Sequence, residues 1–439
     1  MKEKSSTSTA VKKVLIITYY WPPAGGPGVQ RWLKFAKYLP DFGITPIIYT
    51  PENPTYPLLD ASLESEVPDG LVVLKTKIKE PYGLARLFSK GGTKNLSSGI
   101  IPHQPKQTWI EKSLLWVRGN FFIPDARKAW IKPSVAFLEH YIAENNIDCV
   151  ITTGPPHSLH LIGLELRKKL NFKWIADFRD PWTTIGYHKE LKLSESAANK
   201  HRRLELEVLQ KADAITVTSF STKEEFKAKT AKPISVLTNG YDVEKVVKKP
   251  MDEAFTLAHI GSFLSHRNPR VLWKALNELR RDNPEFKAAF QFKLIGKVSQ
   301  DILDALKEFK LDDCTVNMGY LSHAEALVEQ RASQVLLLVE IDSIETKAII
   351  PGKLFEYMAA ERPILALGPE GADFFRIITE TNTGTIALYD EKDRMKELLL
   401  AYFTQYQNNA LKVYGMGLQY YSRKKITEQL AKIINDKSV

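Results

Sequence analysis

Cysteine is almost absent from this sequence: Cys149 and Cys314 are the two in 439 residues, and both sit in apolar segments far apart along the chain. That excludes a disulfide framework and a cysteine metal site, and a cytoplasmic setting follows most simply. Long apolar runs are lacking as well. The longest candidates, such as QVLLLVEI, stop at charges well short of the ~20 residues that a membrane span requires. The opening MKEKSSTSTAVKK is polar, with no central hydrophobic stretch and no small-residue cleavage site, so no signal peptide is expected and the chain reads as soluble. Internal repeats and low-complexity tracts are missing too. There is no acidic surplus: 61 Lys and Arg against 51 Asp and Glu give +10. This balance favours anionic partners, whether nucleotides, nucleic acid or an acidic membrane face.

What is present is an alternation. VLIITYY (14–20), PIIYT (46–50), LVVLK (71–75), DCVITT (148–153) and AITVTS (214–219) are short β-branched runs bounded by turn formers and mostly separated by helical patterns. Such alternation is the mark of a parallel sheet covered by helices. It starts again at FTLAHIGS (255–262) and runs through FKLIGK (292–297), CTVNMGY (314–320), QVLLLVE (334–340) and PILALG (363–368). Two α/β domains are therefore expected, 1–245 and 250–415, joined through the charged segment 241–254. The stretch 416–439 should form an amphipathic helix packing back on the domains, since Ile426, Leu430 and Ile433 or Ile434 fall at helical spacing.

One region, 84–133, departs from the pattern. Arg86, Lys90, Lys94, Lys106, Lys112, Arg118, Arg127, Lys128 and Lys132 face only Glu111 and Asp125, interleaved with Phe88, Trp109, Leu114, Leu115, Trp116, Phe121 and Phe122. Basic residues among exposed aromatics suit the surface of an anionic bilayer. An irregular insertion whose aromatics pack on the first domain explains the composition equally well.

Several loops carry candidate chemistry. After the first strand, Gly25, Gly26 and Gly28 would let backbone N–H groups approach a ligand at the start of a helix. Their spacing is not GxGxxG, and 46–49 is apolar where a dinucleotide site would place an acid. His157 and His160 follow the strand DCVI and so fall at the carboxyl edge of the first sheet, where doubly wound folds hold ligands. His160 is as easily a helix-start residue. Asp177, Arg179 and Asp180 share the loop after the next strand, as a structural ion-pair network or, on the reading favoured here, a substrate-binding loop.

The motifs ADAITVTS (212–219) with TKEEF behind it, ISVLTNGYD (234–242), IPDARKAW (123–130), TGPPHSLHLIG (153–163) and DFRDPW (177–182) together resemble glycosyltransferase family 4 over nearly the whole chain. The resemblance implies a GT-B type fold, two Rossmann-like domains facing across a cleft. It also implies a nucleotide-sugar donor held mainly by the second domain, and transfer with retention of anomeric configuration without a bound metal or other cofactor. A leaving diphosphate in a metal-free site must be met by Arg, Lys and helix N-termini. Arg267, in the loop after Gly261, is the first candidate; Arg270 is either a second or the solvated face of its helix.

In AIIPGKLFEYMAAERPILAL (348–367), Pro351-Gly352 should start a helix whose buried stripe is Leu354, Phe355, Met358 and Ala359. Lys353 and Glu356 lie one turn apart on another face. An isolated pair of this kind would read as a surface salt bridge. By the resemblance, Glu356 accepts hydrogen bonds from the donor ribose and Lys353 suits the diphosphate. The family's other glutamate, which contacts the donor sugar, falls at Ala348, with Glu345 or Asp342 as possible substitutes. Gly371, at a later helix start, is a plausible sugar or phosphate contact.

The expected function is thus transfer of a sugar from a nucleotide-sugar donor to an acceptor hydroxyl, in bacterial cell-surface polysaccharide or glycolipid synthesis. His157, Arg267, Lys353 and Glu356 form the catalytic set; Gly25, Gly26, Gly261 and Gly371 complete the donor side; His157, His160, Arg179 and Asp180 face the acceptor. The partners expected are the donor, a glycan or lipid-linked acceptor and an anionic membrane surface; no nucleic-acid module is recognisable. The alternatives are an epimerase of the same architecture and a non-catalytic sugar-nucleotide or glycan-binding subunit, for which Ala348 is the best argument.

Overall fold

The computed structural model describes residues 11–80, 109–186, 188, 191–242 and 249–436. Half of the basic stretch singled out above, 84–108 with Arg86, Phe88, Lys90, Lys94 and Lys106, lies outside them, as do 243–248 of the expected linker. The chain divides into two compact units, Met1–Thr238 with Arg423–Val439, and Asn239–Ser422. The polypeptide therefore passes between units twice, and the first passage comes a few residues before the boundary expected at 245.

Unit 1 is built on a seven-stranded sheet of order β3-β2-β1-β4-β5-β6-β7, parallel throughout. β1 is Lys12–Ile17, β2 Ile44–Pro51, β3 Val72–Thr76, β4 Cys149–Gly154, β5 Lys173–Phe178, β6 Ala214–Val217 and β7 Ile234–Val236. The central strands β4, β5 and β6 are buried almost from end to end, as a sheet covered on both faces must be. One covering layer contains the helix Pro27–Tyr38, whose Trp32, Leu33 and Ala36 pack with Ile16, Ile48 and Ile151. The terminal helix Arg423–Asn435 joins this layer through Ile426, Leu430, Ala431 and Ile434, while Ile433 is only partly buried. Lys12 Nζ donates to the Ile434 carbonyl at 3.2 Å, fixing its far end. The other face is covered by Ile131–Asn145 and Ser158–Arg167, over Leu15, Val150 and Phe178.

Unit 2 repeats the scheme with six parallel strands in the order β10-β9-β8-β11-β12-β13. β8 is Phe255–Ile260, β9 Phe290–Ile295, β10 Thr315–Gly319, β11 Val335–Val339, β12 Ile364–Leu367 and β13 Gly384–Ala387. In each unit the strand order reverses next to the first strand, between β1 and β4 and between β8 and β11. Loops that leave adjacent strands there diverge to opposite faces and leave a crevice at the carboxyl edge.

In the helix Trp109–Phe121 an aliphatic face packs while the described aromatics do not. Leu115 is buried and Gly119 lies against Leu191 and Leu193, whereas Trp116 and Phe121 are exposed. Trp130 is fully buried, stacked on Tyr49 at 4.9 Å with its Nε1 donating to Thr76 Oγ1 at 3.0 Å.

Candidate functional site

In unit 1 the crevice beside β1 and β4 is lined by two predicted loops. Gly26 takes φ 104 just before the first helix, a conformation that favours glycine. Gly25 is less available than its composition implied, because its N–H already donates to the Leu58 carbonyl at 3.0 Å. Gly28 is the position of close approach, and what approaches is Arg179. The Arg179 guanidinium also donates to the Pro155 carbonyl and lies 5.7 Å from the Tyr20 ring centroid.

β4 ends in two consecutive cis peptide bonds, Gly154–Pro155 and Pro155–Pro156, which carry the chain into the helix Ser158–Arg167. That helix is capped by Asp125 of the IPDARKAW motif: its Oδ2 accepts the Ser158 N–H at 2.8 Å and its Oδ1 the Ser158 hydroxyl at 2.9 Å. A carboxylate at a helix N-terminus is stabilising on two counts, as acceptor and as charge. The residue just before the helix is His157, stacked face to face on Trp182 at 4.9 Å, with both ring nitrogens buried and unbonded. Burial, and then the neighbouring His160 and Arg179, hold it far below the usual imidazole range, so it is neutral.

The predicted acceptor-side set separates. His160 is fully buried, bonded through Nδ1 to Thr152 Oγ1 at 2.9 Å and stacked on Phe178 at 4.3 Å. Burial pushes it down to about 3. It packs the interior behind the edge and does not line it. Asp177 is likewise structural: its carboxylate takes Arg31 Nη2 at 2.9 Å, Thr153 Oγ1 at 2.8 Å and Thr216 Oγ1 at 2.7 Å. Burial alone would raise its pKa, but Arg31 and these hydroxyls hold it below the ordinary value. Arg31 in turn donates to the carbonyls of Leu237 and Thr238, the last residues before the chain leaves the unit. Arg179 and Asp180 remain half-buried at the edge, and burial raises the Asp180 carboxyl against the pull of Arg179.

In unit 2 the predicted cations and carboxylate converge. Gly261, at φ 105 directly after β8, has Lys353 lying over it: a Cβ there would meet Lys353 Cε at 2.7 Å. The helix Gly352–Ala359 begins after Pro351 and buries Leu354, Phe355, Tyr357 and Met358. Tyr357 pins it to the end of β8, its hydroxyl accepting the Ile260 N–H at 3.0 Å. This anchor leaves Lys353 and Glu356 half-buried at the sheet edge, as the helical spacing predicted. Lys353 Nζ is 3.3 Å from Nε2 of the buried His259, and Glu356 Oε2 accepts Gln330 Nε2 at 3.1 Å. Burial, then the charge of Arg267, lowers Lys353 to about 8, while Glu340 and Glu356 pull the other way.

Arg267 is 28% exposed and forks onto Glu340, with Nε to Oε1 and Nη2 to Oε2 both at 3.1 Å. Glu340 was missed by the sequence reading, which took it only as the charge that ends an apolar run; its side chain is 1% exposed. Glu345 is exposed and engaged in a local turn with Ser343, and Asp342 is exposed as well. Gly371 adopts φ 73, and the Lys347 ammonium would lie 3.9 Å from a Cβ placed on it. Arg270 pairs with Glu308 at the surface, as a solvated helix face.

Residues 100–245 match the family model Glycosyltransferase Family 4. The chain is 26% identical over 251 residues to the probable glycosyltransferase WbjE of Pseudomonas aeruginosa, an alignment covering 54% of this chain and 61% of that one. Among solved structures, Anabaena HepE in complex with UDP and glucose superposes with a TM-score of 0.60 at 12% identity, covering 97% of this chain and 100% of that one. The lipopolysaccharide outer core galactosyltransferase WaaB superposes with a TM-score of 0.57 at 14% identity, covering 96% and 99%. At such identities the two structures speak for the fold. Residues 100–245 thus match Glycosyltransferase Family 4, in a chain whose two units have the Rossmann-like fold of the GT-B type.

Proposed function

We propose that this chain is a retaining glycosyltransferase that moves a sugar from a nucleotide-sugar donor to an acceptor hydroxyl in cell-surface polysaccharide or glycolipid synthesis. The observation that carries this reading is the gathering of Arg267 and Glu356 about Lys353, which lies over Gly261 at the carboxyl edge of the second sheet. Two cations at one sheet edge suit a diphosphate, and the carboxylate one helical turn away suits ribose hydroxyls; Gly261 gives room to Lys353, its own N–H being taken by the Ile295 carbonyl at 2.7 Å. Charge on the leaving diphosphate would be offset by Arg267 and Lys353, so we assign no metal or other cofactor. The leaving phosphate itself would assist deprotonation of the acceptor, and no protein base is assigned.

On the acceptor side we place His157, Arg179 and Asp180. A neutral, desolvated imidazole suits hydrogen bonding to a sugar hydroxyl better than ion pairing. The exposed Trp116 and Phe121 near Lys128 support a peripheral contact of unit 1 with an anionic membrane carrying a lipid-linked acceptor. The Anabaena structure contains UDP and the WaaB protein is named for lipopolysaccharide outer core synthesis. Both agree with the proposed donor and pathway class.

The test is ligand-induced thermal stabilisation with UDP-, GDP-, ADP- and dTDP-sugars, with Glu356→Ala as control. A base-selective rise in unfolding temperature that the variant loses is expected. Well-folded protein that responds to none of them would overturn the donor-site assignment.

A further inference from the structure

A buried carboxylate is an unexpected neighbour for a site that would hold a diphosphate. Glu340 stands at the end of β11, next to β8 at the point where the strand order reverses. Both of its oxygens are engaged by Arg267, and Oε1 also accepts the Ile341 N–H at 2.9 Å. Its backbone is fixed as well: the N–H donates to Leu367 at 2.9 Å, and the carbonyl accepts the Tyr389 hydroxyl at 2.9 Å. Glu340 is therefore a rigid partner, and Arg267 is the member of the pair that reaches solvent.

A bidentate pair with one desolvated carboxylate orients a guanidinium and neutralises it at once. The groups around it are Lys353, Glu356, Asp342, Tyr389 and the neutral His259. With Arg267 matched by Glu340, Lys353 is the cation of this group least committed to a carboxylate. An incoming diphosphate has to share Arg267 with Glu340, and a departing one is replaced by a carboxylate already in place.

We propose that Glu340 is a positioning residue that holds Arg267 in the unliganded site and competes with the ligand's diphosphate for it, so that the nucleoside diphosphate product is released readily. The inference rests on the donor-site reading above. Affinity for a diphosphate should therefore rise, not fall, when the carboxylate is neutralised.

Inorganic pyrophosphate is the base-independent probe, titrated calorimetrically into wild type, Glu340→Gln and Arg267→Gln. Glu340→Gln keeps an acceptor for Arg267 and should bind pyrophosphate roughly threefold to tenfold more tightly, the scale of one charge acting across a partly screened site. Glu340→Asp retains the charge with a shorter reach; it should shift affinity less but in the same direction, and serves if the glutamine variant folds poorly. Unchanged or weaker binding in folded Glu340 variants would make the residue structural and overturn the inference. A wild type that binds neither pyrophosphate nor any nucleotide of the panel would instead remove the donor site, and the inference with it. Binding in wild type that survives Arg267→Gln undiminished would show that Arg267 is not the group being shared.

Discussion

The Arg179 guanidinium occupies the space that a side chain on Gly28 would need: a Cβ built on Gly28 falls 1.9 Å from Arg179 Nη1. The atom displaced is the far end of a flexible side chain, so the backbone has no need to move. Gly28→Ala should leave the unfolding free energy within about 1 kcal/mol of wild type while expelling Arg179 from the edge. We expect turnover of the cognate donor, once the nucleotide panel has named it, to fall by about tenfold or more, through KM for the acceptor if Arg179 contacts it. Unaltered kinetics would remove Arg179 from the acceptor side.

Lys353 gives the proposed donor site a pH limit. Below about 8 it is protonated and attracts a diphosphate; above about 8 the free site loses that charge. Affinity for the nucleotide-sugar, whose diphosphate diester does not itself titrate in this range, should be flat from pH 6.5 to 7.5. It should then weaken as pH rises through 8 and 9, approaching about tenfold per pH unit where binding takes up one full proton. Lys353→Arg, charged throughout this range, should flatten the profile; a wild-type profile already flat to pH 9.5 would show that the lysine is not the diphosphate's partner.

The histidines of unit 1 carry the opposite sign. Trp182 stacks on His157 and donates to His201 Nδ1 at 3.0 Å, and His188 sits edge-on to His201. Burial lowers all of these, His188 to about 4, and with them the more distant His160 to about 3. Where the folded state keeps imidazoles neutral, the unfolded chain binds more protons below the ordinary value of 6.5. Stability is therefore whole above that pH and falls as pH drops from 6.5 towards 4, by up to about 1.4 kcal/mol per pH unit for each histidine. The carboxylate Asp177 adds its loss only below its ordinary value of 3.8, so the two windows separate. Urea unfolding between pH 7.5 and 4.5 measures the slope, and His201→Gln should reduce it.

Glu361 ends the Gly352–Ala359 helix with φ 56, in the left-handed region. Its side chain is exposed, so little packing opposes the replacement. Glu361→Gly should relieve that backbone cost and stabilise the protein by roughly 0.5–1 kcal/mol. An unchanged or lower unfolding midpoint would mean that the glutamate side chain contributes more than the backbone strain removes.

Much of the fold was legible because most strands are short apolar runs and the helices between them show apolar stripes, signals that need only a few neighbouring residues; the four-residue β13, Gly384–Ala387, was too short to stand out. The helix with Lys353 and Glu356 is the clearest instance, since its start at Pro351-Gly352 and its buried Leu354, Phe355 and Met358 follow from a few residues, although Tyr357 is buried where Ala359 was expected. The partnership of Arg267 with Glu340 was not legible, because the two are 73 positions apart and only strand order brings them together. His160 resembled an edge residue for a related reason. It is one turn beyond His157, but the helix that carries it packs it inward against Phe178. Gly25 was misjudged because its N–H is taken by Leu58, a partner that nothing local reveals.

Because Arg423–Asn435 completes the apolar layer over Ile16 and Trp32, the first unit is built from two segments with the whole of the second unit spliced between them. During synthesis, residues 239–422 can reach their final structure while the amino-terminal unit still lacks a wall of its interior. A fragment stopping at Thr238 would expose that seam. Joining Thr238 to Arg423 by a short flexible linker would close it, and residues 239–422 could be expressed alone as one uninterrupted piece.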